Sequence, residues 1–341
     1  MRNNEVPAIP GPPLVLDWEQ DLTAGFGEGA PLLVDSVLFV GNLRGELYAF
    51  NGGTGKRFGW VTLGGAIHGA PVLAGNTAIV PLVGSRESLV AYDFIEGRIL
   101  WRQELGDIHV SPLLLDSRIF VANTTGSVHC VSVDDGTPVW KFELPDNKAL
   151  KGIRSSPAGV EHSVFFGADD GFLYHLDATT GSQHWRFDAG DPIQAAPVIH
   201  DGRVFVGTLA GKLFSIEAST GVQKWSCDVG GSIYGTALVD SSLVIVGTTA
   251  GFVVGLHRMT GEVKWKTDLR APVNSGILGA GEYVYTGTLR KDLLALRRAT
   301  GEIVWRGTTG GRVKTTPIAG LGRLFVAGDN RVVQAFKEEK R

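Results

Sequence analysis

The chain has 341 residues but only two cysteines, Cys130 and Cys227. They are far apart in the sequence and are not expected to form a disulfide. A large excess of either charge is also lacking, since the chain has 32 Lys and Arg residues and 35 Asp and Glu residues. No run of basic residues occurs. A nucleic-acid or anionic-membrane surface is therefore not expected. The sequence contains no transmembrane segment and no convincing 3.6-residue period of helical length.

Tryptophan, in contrast, recurs at a nearly constant interval. Successive tryptophans are 39 to 45 residues apart, at Trp18, Trp60, Trp101, Trp140, Trp185, Trp225, Trp265 and Trp305. A period of about 40–45 residues is typical of a propeller or another repeat array. We expect each tryptophan to pack between neighbouring sheets of such an array.

Each repeat contains four short runs of Val, Ile, Phe and Tyr separated by turn residues, which predict four strands, here called a to d. A Thr-Gly pair such as Thr180-Gly181 precedes most d strands and predicts a tight turn. The chain begins with a lone d strand at 14–19 and ends with an a-b-c set at 313–337. We therefore predict an all-β fold, an eight-bladed β-propeller of four-stranded antiparallel blades whose last blade is closed by the N-terminal strand. The propeller should occupy 14–338, preceded by a Pro-rich linker at 1–13.

One column of the repeat is always polar but changes its residue type from blade to blade. It lies three residues before the Pro of strand a, and its members are Glu28, His68, His109, Arg154, Gln194, Tyr234, Asn274 and Lys314. Side chains alternate between faces along a strand, so we expect these residues to surround one mouth of the central channel. The column favours either a ligand site or a solvated rim. His68 and His109 are expected to be neutral rim residues rather than a metal site, because a closed site needs four ligands and only Glu28 offers a third.

The sequence carries no motif for catalysis or for a cofactor. It has no G-x-S-x-G elbow, no H-E-x-x-H pair and no Gly-rich phosphate loop at a strand–helix junction. We therefore expect no enzyme activity, no catalytic residues, no metal and no cofactor.

The repeat resembles the PQQ-like repeat family, through the [AST]-P opening, the V-[FY]-V-G run, the G-x-L-[YF] run and the T-G-x-x-x-W close. This resemblance implies a propeller fold over 14–337. Catalysis by quinoprotein dehydrogenases of that family would require a vicinal Cys-Cys pair and long inserted loops, and this chain has neither. Fold alone leaves the function open.

The chain is also similar to the BamB-type scaffold lipoproteins of the outer-membrane β-barrel assembly machinery. The longest repeat carries its extra residues in the loop at 145–156, and the neighbouring loop is at 187–194. In that family the corresponding loops contact the barrel-forming subunit. The resemblance implies interaction residues Leu150, Arg154, Asp188 and Asp191.

The expected function is thus a non-catalytic propeller scaffold for protein–protein contacts, with a barrel-assembly subunit as the candidate partner. Alternatives are a small-ligand or sensor propeller that uses the channel mouth, or a quinoprotein-related subunit. If a signal segment and a lipobox Cys have been removed, we expect a lipid-anchored protein at the periplasmic face of the outer membrane; otherwise we expect a cytoplasmic protein.

Overall fold

The computed structural model describes residues 5–6, 11–145 and 152–339. Within these residues the chain forms 33 β-strands and no helix. Thirty-two of them build eight antiparallel blades of four strands, one per repeat, and β1 is added to one blade. The predicted all-β, eight-bladed propeller is therefore confirmed. In the same residues, no helix is long and apolar enough to cross a membrane.

In blades 1 to 7 the strands a, b, c and d follow one another in the sequence. Blades 1 to 4 contain β3 Leu32–Val34, β4 Val37–Gly41, β5 Glu46–Asn51 and β6 Arg57–Thr62; β7 Val72–Ala74, β8 Thr77–Pro81, β9 Leu89–Asp93 and β10 Arg98–Gln103; β11 Leu113–Leu115, β12 Arg118–Ala122, β13 Ser127–Ser132 and β14 Pro138–Glu143; β15 Ala158–Val160, β16 Ser163–Gly167, β17 Phe172–Asp177 and β18 Gln183–Asp188. Blades 5 to 7 contain β19 Val198–His200, β20 Arg203–Gly207, β21 Lys212–Glu217 and β22 Gln223–Asp228; β23 Leu238–Val239, β24 Leu243–Gly247, β25 Phe252–His257 and β26 Val263–Asp268; β27 Leu278–Ala280, β28 Tyr283–Gly287, β29 Asp292–Arg297 and β30 Ile303–Thr308.

Blade 8 joins the two ends of the chain. It contains β31 Ile318–Gly320, β32 Arg323–Gly328 and β33 Val332–Glu338, and its outer strand is β2 Leu14–Asp21. β2 pairs antiparallel with β33 from Leu14↔Glu338 to Asp21↔Val332. The predicted closure is confirmed, with a strand two residues longer than expected. Asp17 of β2 forms ion pairs with Arg323 and Lys337, which add charged contacts to this closure.

A further pairing involves the N-terminal segment. β1 Glu5–Val6 runs parallel to β27, so that blade 7 gains a fifth strand at its inner edge. Part of the segment predicted as a linker is thus extended chain that pairs with the propeller.

In five blades the residue at the end of strand b is a glycine that closely approaches the loop entering the next blade. A Cβ atom added to Gly167 or Gly207 would lie 2.0 or 2.6 Å from the side chain of Ile193 or Ile233, respectively, in the loop that enters the next blade. These glycines are required because the backbone and the incoming Ile side chain approach too closely for any larger residue. The same Ile donates its backbone N–H to the preceding blade, as from Ile233 to the carbonyl of Thr208 at 3.1 Å.

A second contact between blades is made by tryptophan. In six blades the indole N–H donates to a backbone carbonyl of the following blade at 2.9 to 3.1 Å, the pairs being Trp18–Gly52, Trp101–Val133, Trp140–Ala178, Trp185–Ala218, Trp225–Arg258 and Trp265–Arg298. The indole also covers the turn glycine that precedes strand d of that blade. A Cβ at Gly181, for example, would lie 2.7 Å from the ring of Trp140. We call this arrangement the Trp latch.

The expectation that every tryptophan packs between sheets is wrong for Trp60, which is 56% exposed. In blade 4, Trp185 pairs with His175 of strand c, whereas the equivalent pair in blade 1 is Gly59↔Ala49. Trp60 follows one residue later, and because side chains alternate along a strand it lies on the opposite face. It stacks against Tyr48 of its own blade, with ring centroids 6.2 Å apart. Trp305 packs against Phe336 of blade 8 instead of a turn glycine.

Candidate functional site

The polar column is placed by the loops that run from strand d of one blade to strand a of the next. In seven of the eight loops the residue before the polar one is a buried Ile or Val, such as Ile153, Ile193 and Val313, whereas blade 1 has Gly27 at this position. Because this residue is fixed by its packing and its backbone hydrogen bond, its neighbour faces the central channel. We call the face of the ring on which these loops lie the mouth face; the turns between strands a and b lie on the opposite face.

Seven of the eight column residues line one cavity at the mouth face: Glu28, His109, Arg154, Gln194, Tyr234, Asn274 and Lys314. The eighth, His68, contacts His109 with ring centroids 4.6 Å apart. The empty space among these side chains, counted up to open solvent, is about 570 Å³. Its wall is dominated by hydrogen-bonding groups, and the Oδ1 atom of Asn274 is buried without a partner in the described part of the chain. The structure thus brings all eight residues to one place, and their role stays a prediction.

The two histidines form an uncharged part of the mouth. Burial lowers the pKa of His68, and the neighbouring His109 lowers it further. Burial also lowers the pKa of His109, although the carboxylate of Asp107 acts in the opposite direction. Both imidazoles are therefore neutral at pH 7 and can donate and accept one hydrogen bond each. In the ranges that the structure describes, no group of three or more His, Cys, Asp or Glu residues could hold a metal ion.

A carboxylate that the sequence analysis missed organises one side of the mouth. Asp169, whose side chain is only 2% exposed, forms an ion pair with Arg154. It also accepts a hydrogen bond from the Nε2 atom of Gln194 at 3.0 Å. It lies in the turn between strands b and c of blade 4 and thereby joins the column residues of blades 4 and 5. Arg154 is half exposed, so that its guanidinium is anchored at one edge and accessible at the other.

The opposite side of the ring repeats this arrangement. Asp329 is at the equivalent turn of blade 8, four blades away, and accepts from Arg312 Nε at 2.5 Å. Lys314 Nζ lies 4.0 Å from the same carboxylate. The backbone N–H groups of Asp169 and Asp329 donate to equivalent carbonyls, those of Gly152 and Arg312. The column therefore carries two cations on opposite sides of the mouth, Arg154 and Lys314, each beside a carboxylate.

The interaction residues that the resemblance of the loops implies differ in how accessible they are. Leu150 lies outside the described residues. Asp188 is exposed at the end of β18, and its Oδ1 atom accepts the backbone N–H of Gly190 at 2.8 Å. Asp191 is half-buried, and its Oδ1 atom is buried with no hydrogen-bond partner among the described residues. Arg154 and Asp188 are thus the accessible charges of this set, on the mouth face in the loops that enter blades 4 and 5.

Comparison with known proteins agrees with the fold. The profile of the family described as "Outer membrane protein assembly factor BamB" matches residues 16–124, 124–279 and 253–341. The protein of that description from Burkholderia pseudomallei is 35% identical over 182 residues, which is 50% of this chain and 46% of that protein. Among solved structures, BamB from Moraxella catarrhalis has a TM-score of 0.81 at 20% identity and covers 95% of this chain and 99% of that chain.

A quinohemoprotein alcohol dehydrogenase from Pseudomonas putida HK5 shares the fold as well, with a TM-score of 0.75 at 14% identity over 96% of this chain and 78% of that one. At such identities the likeness concerns the fold alone. The aligned segments span less than half the length of the curated relatives, including 29% of the protein from Escherichia coli K12. Because the family profile matches nearly the whole chain from residue 16, the chain belongs to the PQQ-like propeller family described as outer membrane protein assembly factor BamB.

Proposed function

We propose that this propeller is a non-catalytic scaffold that binds a protein partner during outer membrane protein assembly. Family membership and the closed ring support this proposal. So does the site itself, in which Arg154 and Lys314 are paired with carboxylates and, among the residues that the structure describes, no nucleophile is activated by a neighbouring base. The proposed location is the periplasmic face of the outer membrane, and the proposed partner is the barrel-forming subunit of the assembly machinery.

The proposed contact surface is the mouth face of blades 4 and 5, around Arg154 and Asp188. Arg154 carries the argument because the buried Asp169 holds one edge of its guanidinium while half of the side chain stays accessible. An arginine whose position is already fixed loses little conformational entropy on binding, and arginine is common among residues that dominate interface energies. The loop containing Leu150 adjoins this surface in the sequence and extends the proposal to that residue.

The test is co-purification of the tagged barrel-forming subunit with variants expressed in the bacterial envelope. Charge reversal in Arg154→Glu with Asp188→Lys should reduce recovery of the subunit at least tenfold, since it places like charges opposite the partner's complementary groups. The control for the Arg154 change is Arg86→Glu, a single charge reversal between strands b and c of blade 2, where the side chain is 84% exposed. It should bind normally. Equal recovery for all variants would refute the proposed surface.

A second candidate is a small ligand bound at the channel mouth. Its support is the polar cavity lined by seven column residues, with two opposed cations and the unpartnered Oδ1 atom of Asn274. The test is a thermal-shift screen of small carboxylates and sugars. A stabilising compound should lose its effect in His68→Ala and Lys314→Ala and keep it in Asp188→Lys. If no compound shifts the midpoint, or if the shift survives both mouth variants, this candidate is excluded.

A further inference from the structure

The most informative irregularity of the ring lies at the outer strand of blade 1. In seven blades the d strand places a tryptophan at one register position, for example Trp225 opposite Ser215 and Trp265 opposite Gly255. Blade 1 has Gly59 at this position, opposite Ala49. The rest of its sheet keeps the register of the other blades, so the position is intact and only the indole is missing.

The space that the indole fills elsewhere is open here. A Cβ added to Gly59 would have no heavy atom within 4 Å, and one added to Gly97, the turn glycine of blade 2, would meet only the Oη atom of Tyr92 at 3.9 Å. The corresponding glycine of blade 6, Gly261, has the ring of Trp225 2.6 Å from its virtual Cβ. Two independent positions, one on each side, thus indicate a vacant indole position between blades 1 and 2. We call it the blade 1–2 slot.

The walls of the slot suit an aromatic ring. It is lined by apolar side chains of both blades, including Phe39, Val61, Tyr92 and Phe94, and holds about 560 Å³ of empty space counted up to open solvent. Phe39 is the strand-b residue that in blade 5, as Phe205, contacts the tryptophan with centroids 6.0 Å apart. In blade 1 it contacts Phe94 instead, at 5.1 Å, so Phe94 covers part of the slot and leaves the rest open.

A hydrogen-bond acceptor is also in place. In blade 4 the carbonyl of Ala178, directly after strand c, accepts the indole N–H of Trp140 at 3.1 Å. Phe94 occupies the same place after strand c of blade 2, and its backbone N–H donates to Asn76 as that of Ala178 does to His162. The Phe94 carbonyl is therefore positioned as the acceptor for an indole N–H.

The rim of the slot indicates the character of the surrounding contacts. Phe58 and Trp60 are 57% and 56% exposed, and both border the slot at the outer edge of β6, Trp60 from the other face of that strand. The guanidinium of Arg57 lies over the Trp60 ring, 4.8 Å from its centroid. From 56 to 63 the chain carries two cations, Lys56 and Arg57, and no carboxylate. The outer strand of blade 1 is thus complementary to a negatively charged segment, whereas the facing turn of blade 2 carries Asp93 and Glu96.

We propose that the blade 1–2 slot binds an aromatic side chain, tryptophan above all, that is presented by an acidic segment of a partner polypeptide. The ring enters beside Gly59, packs against Phe39 and donates its N–H to the carbonyl of Phe94, as the protein's own tryptophans do elsewhere. The acidic flanks contact Lys56 and Arg57. This site lies at the outer edge of the ring and is independent of the mouth-face surface proposed above.

The experiment is a calorimetric and NMR titration of the full chain with the capped peptide Asp-Glu-Trp-Glu-Asp. The control peptide replaces its Trp by Ala. The Trp peptide should bind at least tenfold more tightly than the Ala peptide. The Ala peptide lacks both the apolar area that the indole buries and the hydrogen bond that its N–H donates. Arg57→Glu should weaken the Trp peptide several-fold, and added salt should weaken it as well.

The decisive variant is Gly59→Trp, which supplies the missing indole from within the chain. It should raise the unfolding midpoint and abolish peptide binding, whereas Lys224→Trp, an added tryptophan on the outer strand of blade 5, should do neither. If Gly59→Trp does not fold, Gly59→Leu is the second slot-filling variant, and it should also block the peptide.

Three results would overturn the proposal. The first is equal binding of the Trp and Ala peptides, including no binding of either. The second is binding that survives the slot-filling variant that folds. The third is a concentration-dependent dimer in sedimentation that Gly59→Trp dissociates, which would make a second copy of this chain the occupant.

Discussion

The Trp latch predicts that chemically identical changes at two tryptophans have very different costs. Trp225 is 8% exposed, donates its indole N–H to Arg258 at 2.9 Å and covers Gly261. Trp225→Phe removes that hydrogen bond, which contributes about 1 kcal/mol. The smaller ring also leaves a cavity that costs a further ~1–2 kcal/mol. We therefore expect a loss of roughly 2–3 kcal/mol in the free energy of unfolding. Trp60→Phe should cost under ~0.5 kcal/mol, as surface substitutions usually do.

Equilibrium unfolding in urea, followed by circular dichroism, measures both variants against the parent chain. The midpoint should fall clearly for Trp225→Phe and stay within error for Trp60→Phe, with similar slopes if the denatured state is unchanged. Equal shifts would contradict the reasoning, since they would mean that the indole contacts between blades contribute no more than an exposed ring does.

Three further predictions concern the ring itself. Deletion of residues 1–20 removes most of β2 and exposes the edge of β33, so the shortened chain should aggregate or melt at a clearly lower temperature in a thermal scan; an unchanged melting temperature would contradict the closure. Gly207→Ala places a Cβ 2.6 Å from Ile233 and should cost about 1–3 kcal/mol in urea unfolding. Its control, Gly59→Ala, meets nothing within 4 Å and should be neutral. Burial lowers the pKa of His175 from 6.5 to about 4, helped by a neighbouring imidazole, so the unfolded chain binds more protons between these pH values. The free energy of unfolding should therefore fall as the pH drops from 6.5 towards 4, by at most ~3 kcal/mol for this group. His175→Ser should reduce the dependence of this free energy on pH. An unchanged dependence in the variant would show that His175 is not its source.

Much of the fold was predictable because the repeat encodes it several times. The Thr-Gly turn before strand d and the glycine at the end of strand b each have one steric cause, contact with an indole or with an Ile or Val side chain of a neighbouring blade. Because the same contact is made in several blades, the same glycine recurs in their sequences. The blade count and the closure by β2 follow from counting such units.

The irregular positions were harder to predict. In blade 1 four residues separate Gly55 from Trp60, whereas three separate Gly181 from Trp185, and this difference was a signal that the indole had moved by one position. The even spacing of the tryptophans concealed it. Asp169 was missed because its importance depends on Arg154 and Gln194, which reach it from other loops, and no local pattern marks such a contact.

The central claim is that the mouth face of blades 4 and 5 contacts a protein of the outer-membrane assembly machinery. The most direct measurement is photo-crosslinking in living cells with a benzophenone amino acid at position 188, compared with position 117 on the opposite face. Both parent side chains, Asp188 and Ser117, are exposed. We predict a crosslink to the barrel-forming subunit from position 188, weakened by Arg154→Glu, and none from position 117. A crosslink from position 117 alone, or none from either position while the subunit co-purifies, would contradict the account.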